Sequence, residues 1–499
     1  MYRVLIMGAL FSTILTGCMV GPNFHSPKPP NVRTYTASPL PKKTLSTPAA
    51  GMSGRAQRFV QGKDVPAEWW FLFHSPVIND LIQVGLANSP NLAAAKATLR
   101  QAQETLNAEI GGSLLPAVST ELTGQRQRAS SASSGIGGVT SLFNLYNASV
   151  DVSYTFDMFG GARRQIEALG AQVDFERFEL EAANLTLTSN IVTTSITVAS
   201  LEAQIQATQE LIQLQTDLLV IVKQQYHAGG VSRANVLSQE SQLAQTKASL
   251  PPLKQSLAQA NHALAVLVGD FPSEMQLPTL KLATLTLPDR LPVSLPSTLV
   301  RQRPDVRAAE ATLATASAQI GVATANLLPQ ITLNGSYGWS NTGLRNLINP
   351  SNNVWNAGGS LLQPLFNGGA LLAKRRAAIA GYEEAQAQYR QTVLQAFQNV
   401  ADTLRALQHD AETLRAQEEA EMAAERSLIL TKDQFRAGGV NYLNLLNAEL
   451  QYQQAKINRI QAQAARYSDT AALFQALGGG WWNRSEYRCC LSRYTKTVS

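Results

Sequence analysis

Apolar and polar positions along this chain follow two different periods. From Ser149 to Asp157 they alternate strictly, with Val150, Val152, Tyr154 and Phe156 set against Asp151, Ser153, Thr155 and Asp157. Ile331, Leu333, Tyr337 and Trp339 alternate in the same way with Thr332, Asn334, Ser336 and Gly338, and Val118, Thr120 and Leu122 form a weaker set. Period two with one apolar face predicts β-strands. Elsewhere the pattern is helical. Proline is absent from 117 to 250 and from 365 to 499, and Ala162–Gln225 and Ala370–Gln434 are rich in Ala, Leu, Gln and Glu. Each predicts one helix of roughly 64 residues, ~95 Å at 1.5 Å per residue. The pairs Gly229-Gly230 and Gly438-Gly439 stop these helices, and a second helix follows each, over about 232–268 and 441–477. The prediction is two long helical hairpins with strands ahead of each.

The chain also repeats itself. Tyr226-His-Ala-Gly-Gly-Val231 returns as Phe435-Arg-Ala-Gly-Gly-Val440, 209 positions later, and at that offset Asn235 meets Asn444, Gln242 meets Gln451 and Lys247 meets Lys456. Further upstream, Ser89-Pro90-Asn91 and Arg303-Pro304-Asp305 each lead through an Ala-rich segment to Leu-Leu-Pro, at 114–116 and 327–329. Such an ordered series marks one structural unit used twice. The first copy spans 76–270 and the second 296–482, with the Pro-punctuated stretch 271–295 as linker.

The N-terminus sets the compartment. Arg3 precedes the apolar run Val4–Leu15, which ends in Leu15-Thr16-Gly17-Cys18. The run is too short for a bilayer span, which needs ~20 residues, and reads as the core of a signal peptide over 1–17. Small residues before a cysteine at this point predict a lipobox, with Cys18 taking an S-diacylglycerol and an N-palmitoyl chain, each buried CH₂ adding ~0.8 kcal/mol of membrane affinity. Met19 follows, where inner-membrane retention calls for Asp, so the outer membrane is expected. With cysteines only at 18, 489 and 490, no disulfide framework is expected.

The formal charge of +6 misleads. Residues 1–63 carry eight Lys/Arg and no acid, and residues 480–499 carry a net +3, which leaves −5 on 64–479. The basic balance therefore gives no reason to expect nucleic acid. The Pro-, Ser-, Thr- and Lys-rich segment 25–63, inside the expected lipidated extension 18–75, reads as an extended strap, not a packed element. The five histidines are scattered and no phosphate-binding loop is present, so no catalytic site, metal or cofactor is expected.

No other stretch has the apolar length of a transmembrane helix, so a membrane crossing must use strands. Two hairpins give four strands. Four cannot close a barrel, because their edges stay unpaired in lipid. Three chains give about twelve, within the known range. The Ser/Gly-rich loop 129–141 and the Asn/Gly-rich loop 340–353 are the expected exposed turns. A soluble hairpin packed on another apolar surface fits the alternation alone equally well.

The motifs together carry a resemblance. The lipobox followed by Val20-Gly21-Pro22-Asn23-Phe24, the repeated Tyr/Phe-x-Ala-Gly turn, Phe159-Gly160-Gly161, Phe366-Asn367-Gly368-Gly369 and the closing Ala476-Leu477-Gly478-Gly479-Gly480-Trp481 resemble the outer-membrane factors of tripartite efflux systems, the TolC-like family, in its NodT/OprM-type lipoprotein branch. The resemblance covers nearly all of 17–482, and the tail 483–499 departs from it. It implies a mainly α fold with transmembrane β: a homotrimer with a 12-stranded β-barrel in the outer membrane and a long periplasmic α-barrel. It implies a passive exit duct of an RND-type pump, with a periplasmic adaptor and an inner-membrane transporter as partners. It places adaptor docking at the turns Gly229-Gly230-Val231 and Gly438-Gly439-Val440. It also places an aperture lining at Leu443 and Asn447, four apart on one helix face, with Asn441 as a further uncharged ring. Asn447 stands where the branch carries an Asp. A periplasmic adaptor lipoprotein and a type I secretion duct are the alternative readings; an adaptor needs one hairpin and a lipoyl-like β domain, and this chain has two matched halves.

Overall fold

The computed structural model describes residues 19–130, 140–275 and 278–484. The expected signal peptide, Cys18, most of the loop 129–141 and the tail from 485, with Cys489 and Cys490, lie outside the described residues. The described chain falls into two compact units that each draw on both repeats. One takes in Thr98–Arg177, Ala308–Arg390 and the N-terminal residues up to Pro27; the other takes in Lys28–Ala97, Phe178–Arg307 and the residues from Gln391 on.

The first unit holds a four-stranded antiparallel sheet. Its strands are β2 (Ala117–Ser130), β3 (Thr140–Phe156), β5 (Gln330–Asn341) and β6 (Asn353–Leu362), paired in that order. Directly opposed residues share a face of a sheet, so the register sorts the side chains. Val118 opposes Val152 and Leu122 opposes Ala148. Val150 opposes Tyr337 and Tyr154 opposes Leu333, while Tyr337 in turn opposes Trp355 and Ile331 opposes Leu361. All of these lie on one apolar face. The other face carries Glu121, Thr123, Asn147, Asp151, Ser153, Asn334 and Ser336 and is stitched by side-chain hydrogen bonds. Ser153 Oγ donates to Asn334 Oδ1 at 2.9 Å, Ser340 Oγ to Asn147 Oδ1 at 2.7 Å, and Asn147 Nδ2 to Thr123 Oγ1 at 3.2 Å.

The same unit seats the start of the described chain. Arg164, 1 % exposed, donates to Val20 O at 3.1 Å, Gly21 O at 3.3 Å and Asn23 Oδ1 at 2.7 Å, and pairs with Glu167 at 2.6 Å. The chain approaches so closely that a Cβ on Gly21 would lie 2.5 Å from Gly321 Cα. Asp157 makes the turn from β3 into the long helix: its carboxylate accepts from Ala162 N and Arg163 N, both at 3.0 Å, which satisfies the free amides of the first turn.

The helices are α1 (Pro76–Asn88), α2 (Pro90–Leu114), α3 (Gly161–His227), α4 (Arg233–Val268), α5 (Pro296–Gln302), α6 (Pro304–Ala325), α7 (Ala370–Arg436) and α8 (Tyr442–Ala476). α3 and α7 are 67 residues each, ~100 Å of rise, and close to the expected bounds. α4 runs through Pro251-Pro252 without ending. The repeated Ser-Pro and Arg-Pro steps are helix breaks: Ser89 and Arg303 adopt extended backbone just before Pro90 and Pro304, as the residue before proline favours.

The second unit corrects one expectation. The segment 25–63 is extended apart from a short 3-10 helix at Pro48–Gly54, and, against the expectation, part of it is packed. β1 (Arg58–Gln61) pairs in parallel with β4 (Arg290–Val293), a strand drawn from the expected linker. Gln57 is fully buried, and Arg466, also 0 % exposed, clamps the segment. Its guanidinium donates to Ser53 O at 2.7 Å, Thr44 Oγ1 at 3.0 Å and Arg55 O at 2.7 Å. The physical reason is plain: a polar strap packs when one buried guanidinium satisfies its carbonyls. Nearby, Trp69, Phe73, Tyr467 and Phe474 build an aromatic core, with Trp69 stacked on Phe474 at 5.2 Å. The first tail residues also pack, Asn483 donating to Val65 O at 2.8 Å.

Candidate functional site

The two glycine turns share one local construction. Gly229 N donates to Tyr226 O at 3.0 Å and Gly230 N to Gln225 O at 2.8 Å; Gly438 N donates to Phe435 O at 3.1 Å and Gly439 N to Gln434 O at 2.8 Å. Both are Schellman caps. They need a residue at positive φ, supplied by Gly229 at 75° and Gly438 at 76°. A Cβ at either position would meet nothing within 4 Å, so backbone conformation, not space, dictates glycine there. After the second turn Asn441 caps α8: its Oδ1 accepts from Asn444 N at 3.1 Å. The oxygen of Asn441 is thus committed locally.

The turns belong to one hydrophobic cluster. Leu218 and Val222 from α3, Val236 from α4, Leu428 and Phe435 from α7, and Tyr442, Leu445 and Ala448 from α8 are buried together, with Val231 and Val440 packed against them. The structure therefore brings the two repeats' turns to one place. Burial here follows the sequence period: on α8, Tyr442, Leu445 and Ala448 face the cluster, while Leu443 is 58 % exposed and Asn447 is exposed. Leu443 and Asn447 share one face, as their spacing predicts, and that face is exposed.

Polar groups lie inside this cluster. The Tyr442 hydroxyl donates to Gln239 Oε1, and Gln239 Nε2 donates to Gln215 O at 3.2 Å, a chain that ties α8 to α4 and α3. Glu449 is 1 % exposed. Burial, partly offset by Lys432, pushes its carboxyl up to about 7. Burial also raises the Tyr442 phenol. Away from the turns, burial and the adjacent Asp469 push Asp410 up to about 8, with Arg466 opposing. Neither Glu449 nor the two clamping arginines was singled out from the sequence. For Glu449 a signal existed, because it repeats Glu240 at the offset of 209. For Arg164, beside Arg163, and for Arg466, an arginine in an Ala- and Gln-rich helix gives none.

Among the described residues no helix is long and apolar enough to cross a membrane, and no group of three or more His, Cys, Asp or Glu could hold a metal ion. The sheet, with one apolar face and one polar hydrogen-bonded face, is the membrane-crossing candidate, in the manner of a channel wall.

A sheet of this kind leading into helices of 67 residues defines an outer-membrane channel class. The chain belongs to the outer membrane efflux protein family, which matches residues 81–270 and 295–479. The pyoverdine export outer membrane protein OpmQ of Pseudomonas putida is 31 % identical over 450 residues, 88 % of this chain and 93 % of that relative. The probable outer membrane lipoprotein SilC of Salmonella typhimurium is 26 % identical over 491 residues, 96 % of this chain and 100 % of that relative. The solved outer-membrane channel OprN superposes with a TM-score of 0.83 at 25 % identity, over 93 % of this chain and 100 % of that one. The protein is an efflux channel of the outer membrane with the TolC-like fold, as its motifs implied.

Proposed function

We propose that three copies of this chain close a 12-stranded barrel and form the exit duct of a tripartite, RND-type pump for small molecules. The observation that carries the reading is the two-faced sheet. Each chain supplies four strands in the order β2-β3-β5-β6, so β2 and β6 each present an outer edge. Lipid cannot satisfy such edges, and the β2 edge of one copy against the β6 edge of the next satisfies both. The hairpins continue the duct into the periplasm. Energy comes from an inner-membrane transporter, linked by a periplasmic adaptor that docks at Gly229-Gly230-Val231 and Gly438-Gly439-Val440.

Leu443 forms the apolar constriction of the periplasmic aperture under threefold symmetry, and Asn447 an amide ring beside it. The exposure of both on one face of α8 supports this. Asn441 adds its amide NH₂, its oxygen being used by the cap. Three carboxylates at the position of Asn447 repel one another and attract cations; three amides do neither and hydrogen-bond around the ring. Cys18 carries the S-diacylglycerol and N-palmitoyl chains and anchors the chain in the inner leaflet of the outer membrane. The clamping of Val20, Gly21 and Asn23 by Arg164 supports a fixed seat for the residues just after it. Negative-stain images of the detergent-purified protein test the reading. A tube longer than ~100 Å agrees with it, and a squat barrel or a club-shaped particle contradicts it.

A further inference from the structure

The two repeats carry the same pair of charges at matching places and use it differently. In the first hairpin Lys223 Nζ and Glu240 form an ion pair at 2.8 Å, both side chains near half exposed. In the second hairpin, 209 positions on, the pair is Lys432 and Glu449. Here Glu449 lies one helical turn beyond Leu445, on the face of α8 that carries Tyr442 and Leu445 into the buried cluster, and is 1 % exposed. Neither of its carboxylate oxygens has a hydrogen-bond partner among the described residues. Gln215 on α3 is fully buried, and its side-chain nitrogen and oxygen lack partners as well. The seam between the hairpins thus holds one satisfied polar chain, Tyr442 to Gln239 to the Gln215 backbone, beside an acid that the packing leaves unpaired.

We propose that Glu449 is a proton-sensitive latch: protonated, it lets α8 pack against the first hairpin; deprotonated, it drives α8 outward to pair with Lys432 as Glu240 pairs with Lys223. A buried carboxylate without a partner is far costlier than a buried neutral acid. The seam is therefore compatible with the acid form and strained by the anion. The inference rests on the reading that this hairpin gates the aperture lined by Leu443 and Asn447.

Around Glu449, α7 contributes Lys432, and α8 itself contributes Tyr442, whose phenol stays protonated. Among the described residues, Tyr452 of α8, three positions beyond Glu449, also packs against the cluster. α3 gives the cluster Leu218 and Val222 and, through the polar chain, Gln215; α4 gives Val236 and Gln239, none of which titrates near neutrality. Glu240 and Lys223 are committed to each other at the surface. The sign follows. In the packed state the carboxyl titrates at about 7; released beside Lys432 it returns to the ordinary range or below. Packing is favoured at low pH and loses that advantage as pH rises toward about 7, by a factor of ten per unit of difference. With three copies the transition steepens.

Planar-bilayer recordings of the full-length protein from about pH 5.5 to about pH 8.5 read this directly. The open fraction of the wild type is expected to rise at least tenfold across that range, while Glu449→Gln stays at the low-pH value throughout and Glu240→Gln keeps the wild-type profile. A wild type without the rise overturns the proposal, and so does a Glu449→Gln variant that keeps it. Lys432→Met removes the partner of the released state, so its rise must move to higher pH even if Glu449→Gln fails to assemble; an unmoved midpoint overturns the proposal too. Leu443→Ala separates the two readings. If it leaves conductance unchanged, the aperture assignment has failed; if it raises conductance while Glu449→Gln still titrates like the wild type, the latch alone has failed.

Discussion

Val150 lies directly opposite Tyr337 across the β3–β5 pair, and both side chains fall on the apolar face of the sheet. The neighbouring pair, Asp151 opposite Ser336, falls on the polar face. One residue of register thus separates a lipid-compatible surface from a water-compatible one.

That relationship predicts an asymmetric response to charge. Val150→Arg places a guanidinium in lipid and should cost ~2–4 kcal/mol if near the bilayer mid-plane, lowering the yield of folded channel in the outer membrane. Ser153→Arg, on the other face, should fold at wild-type levels. Heat-modifiability gels of outer-membrane fractions compare the two; equal yields would mean that the apolar face does not meet lipid.

How far the sequence disclosed this architecture depended on the element. The long helices were legible because Pro-free, Ala-rich stretches end in Gly-Gly pairs whose caps demand positive φ at Gly229 and Gly438. β3 was legible only from Ser149, although it begins at Thr140. Its first half carries Leu142 and Tyr146 on one face and Phe143 and Leu145 on the other, which erases the alternation. β6 left almost no pattern, since Ala357, Gly358 and Gly359 have too little side chain to mark a face. The packing of the strap was invisible, because it depends on one arginine some four hundred residues away, Arg466. Of the site, helical spacing showed only that Leu443 and Asn447 share a face, the resemblance supplying which face; the unpaired burial of Glu449 was not legible, because its twin Glu240 is a surface ion pair.

The turns carry a second prediction. Gly438→Val forces a β-branched residue into the left-handed region at ~1–2 kcal/mol, enough to reshape the cap without unfolding helices of this length. The variant should reach the outer membrane and lose efflux, with Gly229→Val behaving alike. Drug-susceptibility assays beside outer-membrane immunoblots check this; full resistance in both variants argues against docking at the turns.

The aperture lining gives a third. In the proposed threefold assembly, Asn447→Asp introduces three like charges around the axis and should shift the reversal potential in a salt gradient toward cation selectivity. Leu443→Ala should raise single-channel conductance by widening the apolar ring. An unchanged reversal potential in Asn447→Asp would remove that residue from the aperture.

Lipidation gives a fourth. Cys18→Ala should abolish palmitate incorporation while leaving the rest of the chain intact. Labelling of the variant at the wild-type level would place the lipid elsewhere.

Four strands per chain, with open edges at β2 and β6, call for closure between copies. Native mass spectrometry of the detergent-purified protein measures this most directly. Three chains per particle are expected across the accessible concentration range. A single chain at every concentration would contradict that closure.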